Sequence, residues 1–181
     1  MFKKIGQDYS KYKRYGGNFI SIVFFTQGFW AIFQYRIAHG CYKLKIPIIK
    51  HILLLLCLIW QKLIEILTGI SLPYSAKIGS HFYIGHFGGI IVNANAVIGD
   101  NCNISQGVTI GVSGRAEKRG VPIIGNNVYI GANAVVVGKI KIGDNCVISG
   151  NSLVVNSIEN NSTAAGVPAK IINNNTSKDY I

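Results

Sequence analysis

The fold of this chain is decided by the segment from Ile124 to Val154, which reads IGNNVYIGANAVVVGKIKIGDNCVISGNSLV. An aliphatic residue occupies every sixth position of this segment. The same spacing runs from Ile78 to Ile90 and, after a slip of two residues, from Ile98 to Ile110. A period of six fits neither the 3.6-residue turn of a helix nor a hairpin meander. It predicts a triangular coil in which each hexapeptide forms one short strand and one turn.

Glycine and asparagine follow many of the aliphatic positions, as in Gly125-Asn-Asn127 and Gly143-Asp-Asn145. Both residue types adopt turn conformations that larger side chains avoid. Three hexapeptides close one coil, so the repeats make about four coils in which each coil buries its neighbour. The sequence therefore predicts a mainly β domain over residues 76–172, a parallel β-helix with a loop at 112–122, followed by a polar tail at 173–181.

Residues 1–75 have a different pattern, with long apolar runs such as Ile52–Trp60 that predict helices ending near Gly69 and Pro73.

Most of the net charge of +11 lies in this N-terminal part, because residues 1–77 hold 11 Lys and Arg against only Asp8 and Glu65. Such a balance suits an anionic membrane surface or a phosphorylated ligand. No nucleic-acid module accompanies it, so we expect no nucleic-acid partner.

The apolar N-terminal segment could be expected to contact or to cross a membrane. Residues 15–35 lack any charge, but their polar and aromatic side chains fit a packed or interfacial helix better than a span. We expect helices packed in a soluble oligomer, with contact to the inner face of the cell membrane as the alternative and a true span as the third reading. Four scattered cysteines without a CxxC pair indicate a reduced, cytoplasmic chain.

Three stretches resemble the serine acetyltransferase branch of the hexapeptide acyltransferases. They are His86-Phe-Gly-Gly-Ile-Ile-Val92, Gln106-Gly-Val-Thr-Ile-Gly111 and Thr163-Ala-Ala-Gly-Val-Pro-Ala-Lys170. The resemblance implies a left-handed β-helix, a homotrimer, and acetyl-CoA lying in the groove between neighbouring subunits. It assigns cofactor contacts to small residues on the coils, to the closing turn and to a lysine near the nucleotide phosphates: Gly111, Ala132, Gly150, Gly166, Pro168 and Lys170.

His86 is the candidate general base. O-acetylation needs a hydroxyl to lose its proton as it attacks a thioester, and an imidazole titrates near neutrality. The coenzyme supplies an activated acyl group, so direct transfer needs no covalent enzyme intermediate. We expect no metal, because zinc needs three ligands in register and the chain contains no histidine after His86.

The residues expected to orient the histidine and to bind the acceptor hydroxyl compound depart from the family pattern. Ser71 falls where serine acetyltransferases place the aspartate that orients the catalytic histidine, Gly85 replaces a second acid, and Val121 replaces a second histidine. We infer a different hydroxyl acceptor, a sugar of a surface polysaccharide or its precursor, and a closest resemblance to the colanic-acid and capsule O-acetyltransferases. A serine O-acetyltransferase of cysteine biosynthesis is the alternative, and a non-catalytic β-helix scaffold is the alternative from another class.

The loop at 112–122 carries Arg115, Glu117 and Arg119. Glu117 of a neighbouring subunit is one candidate to orient His86, and a backbone carbonyl or water is another. The arginines are candidates to bind phosphates of the coenzyme or the acceptor, and an ordinary solvated loop is the competing interpretation.

Overall fold

The computed structural model describes residues 1–181 as a helical segment seated on a three-sided β prism. An N-terminal capping box starts the second helix, because the Asn18 side chain accepts from the Ser21 backbone and the Ser21 hydroxyl accepts from the Asn18 backbone. The last helix ends at Gly69, whose φ of 66° is the left-handed conformation that glycine adopts readily. The helices are α1 Phe2–Arg14, α2 Phe19–Phe25, α3 Gln27–Tyr42 and α4 Pro47–Thr68.

Fifteen short strands follow the helices. They are β1 Ile70–Ser71, β2 Lys77–Ile78, β3 Tyr83–Ile84, β4 Ile90–Val92, β5 Val97–Ile98, β6 Asn103–Ile104, β7 Thr109–Gly111, β8 Ile123–Ile124, β9 Tyr129–Ile130, β10 Val135–Val137, β11 Lys141–Ile142, β12 Val147–Ile148, β13 Leu153–Val154, β14 Thr163–Gly166 and β15 Ala169–Asn173.

Three parallel sheets form the sides of the prism. Sheet A has the order β1-β4-β7-β10-β13, sheet B has β2-β5-β8-β11, and sheet C has β3-β6-β9-β12-β14 with β15 antiparallel at its end. From β1 to β13 successive strands visit sheets A, B and C in turn, so each coil adds one strand to each side. Between β13 and β14 only the single bridge of Ile158 to Ile142 continues sheet B. The prism is a left-handed parallel β-helix, which confirms the predicted fold class.

The aliphatic residue of each hexapeptide points into the prism, where Ile84, Ile110 and Ile130 have no exposed surface. Burying one such side chain contributes about 1.5–3 kcal/mol to the stability of the fold, so these positions form the main core.

A row of asparagines at one corner of the prism also stabilises the coils. Asn101, Asn127 and Asn145 have φ between 53° and 58°, and each donates its side-chain amide to the asparagine of the next coil at 2.8–2.9 Å.

The prism begins at Ile70, earlier than the boundary at residue 76 predicted from the sequence, and sheet A holds five strands where about four coils were predicted. The cause is that Ile70 directly follows α4, so in the sequence it belongs to the apolar pattern predicted to be helical up to Gly69 and Pro73. Ile70 nevertheless pairs with Ile90 as an ordinary coil position.

A buried ion pair joins the helical segment to the prism. Arg36 on α3 contacts Asp8 on α1 at 2.7 Å, and both side chains are almost fully buried. Arg36 also donates to the carbonyl of Ile78 at 2.8 Å, while Asp8 accepts from the backbone N–H of Phe82 at 2.9 Å. The helices are therefore packed onto the first coil rather than tethered by a linker.

The C-terminal tail at 173–181 turns back along sheet C. Ser177 is 1% exposed, and its backbone N–H donates to the carbonyl of Asn145 at 3.2 Å. The ring of Tyr180 packs on that of Tyr129 with centroids 4.7 Å apart. The predicted polar tail is thus part of the folded surface.

Candidate active site

His86 lies in the turn that joins β3 of sheet C to β4 of sheet A. Gly88 and Gly89 complete this turn with φ of 99° and 65°, where an L side chain would be strained. The Gly88 N–H donates to the carbonyl of Thr68 at 2.8 Å, and the Gly88 carbonyl accepts from Gly107 at 2.9 Å. The end of α4 and the next coil therefore hold the turn from both sides, while the imidazole is exposed to solvent.

The same corner recurs in each coil above His86, between a strand of sheet C and the next strand of sheet A. Hydrogen bonds connect the successive turns: Asn133 donates to the carbonyl of Gln106 at 2.9 Å, and Asn151 donates to that of Ala132 at 2.8 Å. We call this line of turns the His86 corner; it comprises residues 85–89, 106–107, 131–133, 150–151 and 166.

Small residues keep the His86 corner narrow. A Cβ added to Gly131 would lie 2.5 Å from the Gly150 nitrogen, so no side chain fits between these coils. Ala132 is half-buried and Gly150 is exposed, which leaves backbone accessible along the corner. The corner therefore offers a surface of accessible backbone along which an extended, slender ligand fits.

The top of the His86 corner is the tight turn between β14 and β15. Gly166 has a φ of 104°, its N–H donates to the Ser152 hydroxyl at 3.2 Å, and Pro168 follows a cis peptide bond. Lys170 on β15 is exposed beside this turn. Four coil steps separate this turn from His86, which is about 19 Å at the ~4.8 Å spacing of adjacent strands.

Two groups of predicted residues lie away from the His86 corner. Gly111 ends β7 at the far side of sheet A, where it pairs with Val137. Arg115, Glu117 and Arg119 are exposed on the loop between sheets A and B, and Lys139 donates to the Glu117 carbonyl at 3.3 Å. Within one subunit these residues and His86 occupy different corners of the prism, so any joint site requires a second subunit.

A cavity of about 210 Å³ opens beside His86 on sheet C. Asn103 in its wall is 4% exposed; its amide nitrogen donates to the Tyr15 hydroxyl at 2.7 Å and to the Tyr180 carbonyl at 2.8 Å. Its Oδ1 is the one buried side-chain polar atom of the chain without a hydrogen-bond partner. The nine lining residues are Tyr15, Tyr83, Gly85, His86, Asn103, Ile104, Ser105, Tyr129 and Tyr180.

Four tyrosines line this cavity, and they pack in two pairs. Tyr15 stacks on Tyr83 with centroids 4.3 Å apart, and Tyr129 contacts Tyr180. Burial, and to a smaller degree the neighbouring Tyr15, raises the pKa of the Tyr83 hydroxyl. Tyr83 is therefore neutral at physiological pH, and the four rings give the cavity aromatic walls.

A carboxylate lies one hydrogen bond from Ser71, the position where the family has an orienting aspartate. The Ser71 hydroxyl donates to Glu65 of α4 at 2.7 Å. Burial alone would raise the pKa of Glu65, but hydrogen bonds from Lys62, Gln61 and Ser71 outweigh it and lower that pKa. Glu65 is consequently an ionised group at the base of the prism.

Sequence reasoning missed Glu65, Asn103 and the tyrosines of the cavity. Glu65 belongs to the helical segment, and Tyr180 belongs to the tail, so neither carries a hexapeptide signal. The one available signal was polar or aromatic side chains directly before the buried isoleucine in successive strands of sheet C, as in Tyr83-Ile84, Asn103-Ile104 and Tyr129-Ile130. No group of three or more His, Cys, Asp and Glu side chains is arranged to hold a metal ion.

The sequence comparisons agree with this geometry. The family described as bacterial transferase hexapeptide (six repeats) matches residues 122–156. A serine acetyltransferase of Synechococcus elongatus is 31% identical over 155 residues, which cover 86% of this chain and 61% of that protein. A serine acetyltransferase of Bacillus pumilus is 30% identical over 161 residues, which cover 89% of this chain and 71% of that protein.

Solved structures give the same result. The serine acetyltransferase of Neisseria gonorrhoeae superposes with a TM-score of 0.80 at 30% identity, covering 94% of this chain and 64% of that one. The serine acetyltransferase of Brucella abortus in complex with coenzyme A superposes with a TM-score of 0.81 at 31% identity, covering 96% and 68%.

The prism and its repeats define the class as the hexapeptide-repeat transferases. Within that class, the chain belongs to the serine acetyltransferase family. It spans 61% of the length of the Synechococcus relative and 71% of the Bacillus relative. The closeness to colanic-acid and capsule O-acetyltransferases that we inferred from the sequence is not shown by these comparisons.

Proposed function

We propose that this chain is an acetyl-CoA-dependent O-acetyltransferase in which His86 is the general base. The observation that carries the proposal is the His86 corner, with the histidine at one end and the Gly166–Lys170 turn about four coil steps away. The family supports it, since one of the similar solved structures is a serine acetyltransferase in complex with coenzyme A.

In the proposed reaction His86 takes the proton of the acceptor hydroxyl as the oxygen attacks the thioester carbonyl. The new C–O bond forms, the C–S bond breaks, and the imidazolium returns its proton to the departing thiolate. The narrow corner lines the pantetheine arm with Ala132 and Gly150, and Lys170 contributes a positive charge near the nucleotide phosphates. A homotrimer, which supplies the second wall of the groove, is part of the proposal.

Serine is the acceptor that the comparisons support best, because the similar curated proteins are serine acetyltransferases. The sequence alone indicated a sugar, on the grounds of Ser71, Gly85 and Val121, and the comparisons do not support that preference. We therefore place L-serine first among the acceptors to be tested.

A neutral polyhydroxyl acceptor such as a sugar is the second candidate, and the cavity beside His86 favours it. The lining contains no Lys, Arg, Asp or Glu side chain. A buried amino acid needs partners for its ammonium and carboxylate groups, because unpaired buried charge is costly. Aromatic walls and the unpaired Asn103 carbonyl suit a ring that stacks and donates hydroxyl hydrogen bonds.

The test follows free thiol release from acetyl-CoA with L-serine, with a panel of sugars, and without acceptor. We expect His86→Ala to lower kcat by about 10²–10⁴-fold, the usual contribution of general base catalysis. His51→Ala, an exposed histidine on α4, is the matched control and keeps full activity.

Release with serine alone supports the first acceptor, and release with sugars alone supports the second. Full activity of His86→Ala would contradict the proposed base. If the folded protein neither binds acetyl-CoA nor releases thiol, the scaffold alternative replaces the proposed enzyme.

A further inference from the structure

α4 is apolar on its exposed face as well as on its buried face. Its inner face, which packs on α3 and the prism, carries Leu54, Cys57 and Ile64 together with the polar residues Gln61 and Thr68. Its outer face is a continuous apolar stripe along the whole helix, and each member is between 55% and 80% exposed: Ile48, Ile52, Leu55, Ile59, Leu63 and Ile66. A helix in contact with water places its polar residues outward.

The neighbouring helix α2 extends this exposed apolar surface. Four of its seven residues are large hydrophobic side chains with 58–71% exposure: Phe19, Ile20, Phe24 and Phe25. An exposed apolar patch of this extent marks an interaction site rather than ordinary surface.

An apolar groove of about 630 Å³ lies among the helices. Nine of its ten lining residues are hydrophobic, and they include both tryptophans of the chain, Trp30 and Trp60. The full lining is Ile5, Gly6, Tyr9, Phe19, Val23, Phe29, Trp30, Phe33, Trp60 and Ile64. We define the docking face as the stripe of α4, the four exposed residues of α2 and this groove.

The N-terminal part of the chain, which contains the docking face, carries a large excess of positive charge. Its two acids are both paired, Asp8 with Arg36 and Glu65 with Lys62. Nine further Lys and Arg of residues 1–77 have no acidic partner: Lys3, Lys4, Lys11, Lys13, Arg14, Lys43, Lys45, Lys50 and Lys77. Most of them are exposed.

We propose that the docking face binds the surface of an anionic membrane, with α4 lying in the interface. Lys and Arg side chains near an anionic leaflet are attracted to its headgroups, and the apolar stripe adds the burial of its side chains. A second copy of the chain is a poorer occupant, because two segments with the same positive excess would repel each other.

α4 is the one helix of the chain long and apolar enough to cross a membrane by length and composition. Its inner face, however, is fixed to the protein: Gln34 donates to the Cys57 carbonyl at 3.1 Å, and Ser71 donates to Glu65. A helix held along one side by polar contacts lies on the bilayer rather than through it. This inference is independent of the proposed acetyl transfer.

Trp30 and Trp60 report on the docking face directly, because the chain has no other tryptophan. The full chain is mixed with vesicles of phosphatidylcholine alone, and with vesicles of three parts phosphatidylcholine to one part phosphatidylglycerol. We expect a blue shift of tryptophan emission with the anionic vesicles, and binding by co-sedimentation at least about tenfold tighter than to the neutral ones. High salt weakens this binding.

The variant Ile52→Glu/Ile59→Glu places charge in the stripe, and Ile171→Glu/Ile172→Glu on β15 is its control at similar exposure. We expect the first variant to lose at least about tenfold in vesicle binding and the second to bind normally, with unchanged circular dichroism for both. Equal binding of wild type and stripe variant would overturn the proposal. So would a fall in the solution mass of the stripe variant without loss of vesicle binding, because the face would then join copies of the chain.

Discussion

Asn103 lines the cavity beside His86, and its side-chain oxygen is buried without a hydrogen-bond partner. If the acceptor donates a hydrogen bond to this oxygen, Asn103→Ala raises the KM of the acceptor by about 2–12-fold, which corresponds to 0.5–1.5 kcal/mol for one neutral hydrogen bond. The dissociation constant of acetyl-CoA, measured by calorimetry, stays unchanged. Weaker acetyl-CoA binding in this variant would show that Asn103 acts only on the fold of sheet C.

Lys11 is a buried lysine that donates to Asn101 at 2.8 Å, at the lower end of the asparagine row. Desolvation by burial lowers its pKa to about 8. The unfolded chain keeps this proton to a pKa of about 10.4, so between pH 8 and 10 the unfolded state binds more protons and stability rises with pH.

We therefore expect the free energy of unfolding of the wild type, relative to Lys11→Met, to increase from pH 8 to pH 10 in urea titrations. Subtracting the variant removes the contributions of the cysteines and tyrosines that titrate in the same range. Lys13→Met, at an exposed position of α1, is the matched control. A constant difference for Lys11→Met would refute the lowered pKa.

At the scale of one element, the asparagine row shows why this corner of the prism selects asparagine. Asn127 has a φ of 53°, and its side chain accepts from Asn101 and donates to Asn145, both at 2.9 Å. Glycine keeps the backbone conformation and loses the side-chain bonds, whereas alanine loses both. We expect Asn127→Ala to be less stable than Asn127→Gly by about 1–2 kcal/mol in urea unfolding. Equal stability of the two variants would mean that the backbone conformation contributes nothing.

The elements differ in how far the sequence could predict them. The coils around Ile130 and Ile148 repeat every six residues, which is local information, so the prism and the position of His86 were predictable. β1 was missed because Ile70 directly follows α4 and continues the apolar pattern of that helix. The cavity depends on Asn103 meeting Tyr15 and Tyr180, residues far away in the chain, and no repeat encodes such contacts.

At the scale of the whole molecule, His86 and the loop at 112–122 occupy different corners of one prism. The proposed trimer brings them together only across a subunit interface. We expect Arg115→Ala/Glu117→Ala/Arg119→Ala to be impaired, and mixed trimers of this variant with His86→Ala to regain activity. Because each mixed cyclic trimer restores one of three interfaces, about one third of its sites should work. Mixtures without any recovered activity would place the whole site within one subunit.

The repeating coil also means that distances along the prism axis come in equal steps of one coil. Tyr129 pairs with Val147, so one full coil is 18 residues, and inserting such a coil would return every side chain to its register. The separation between His86 and Lys170 would then grow by a single step of about 4.8 Å. In the proposed reaction the distance between the histidine and the nucleotide phosphates can therefore change only by whole coils, and one coil too many would leave the acetyl group short of the histidine.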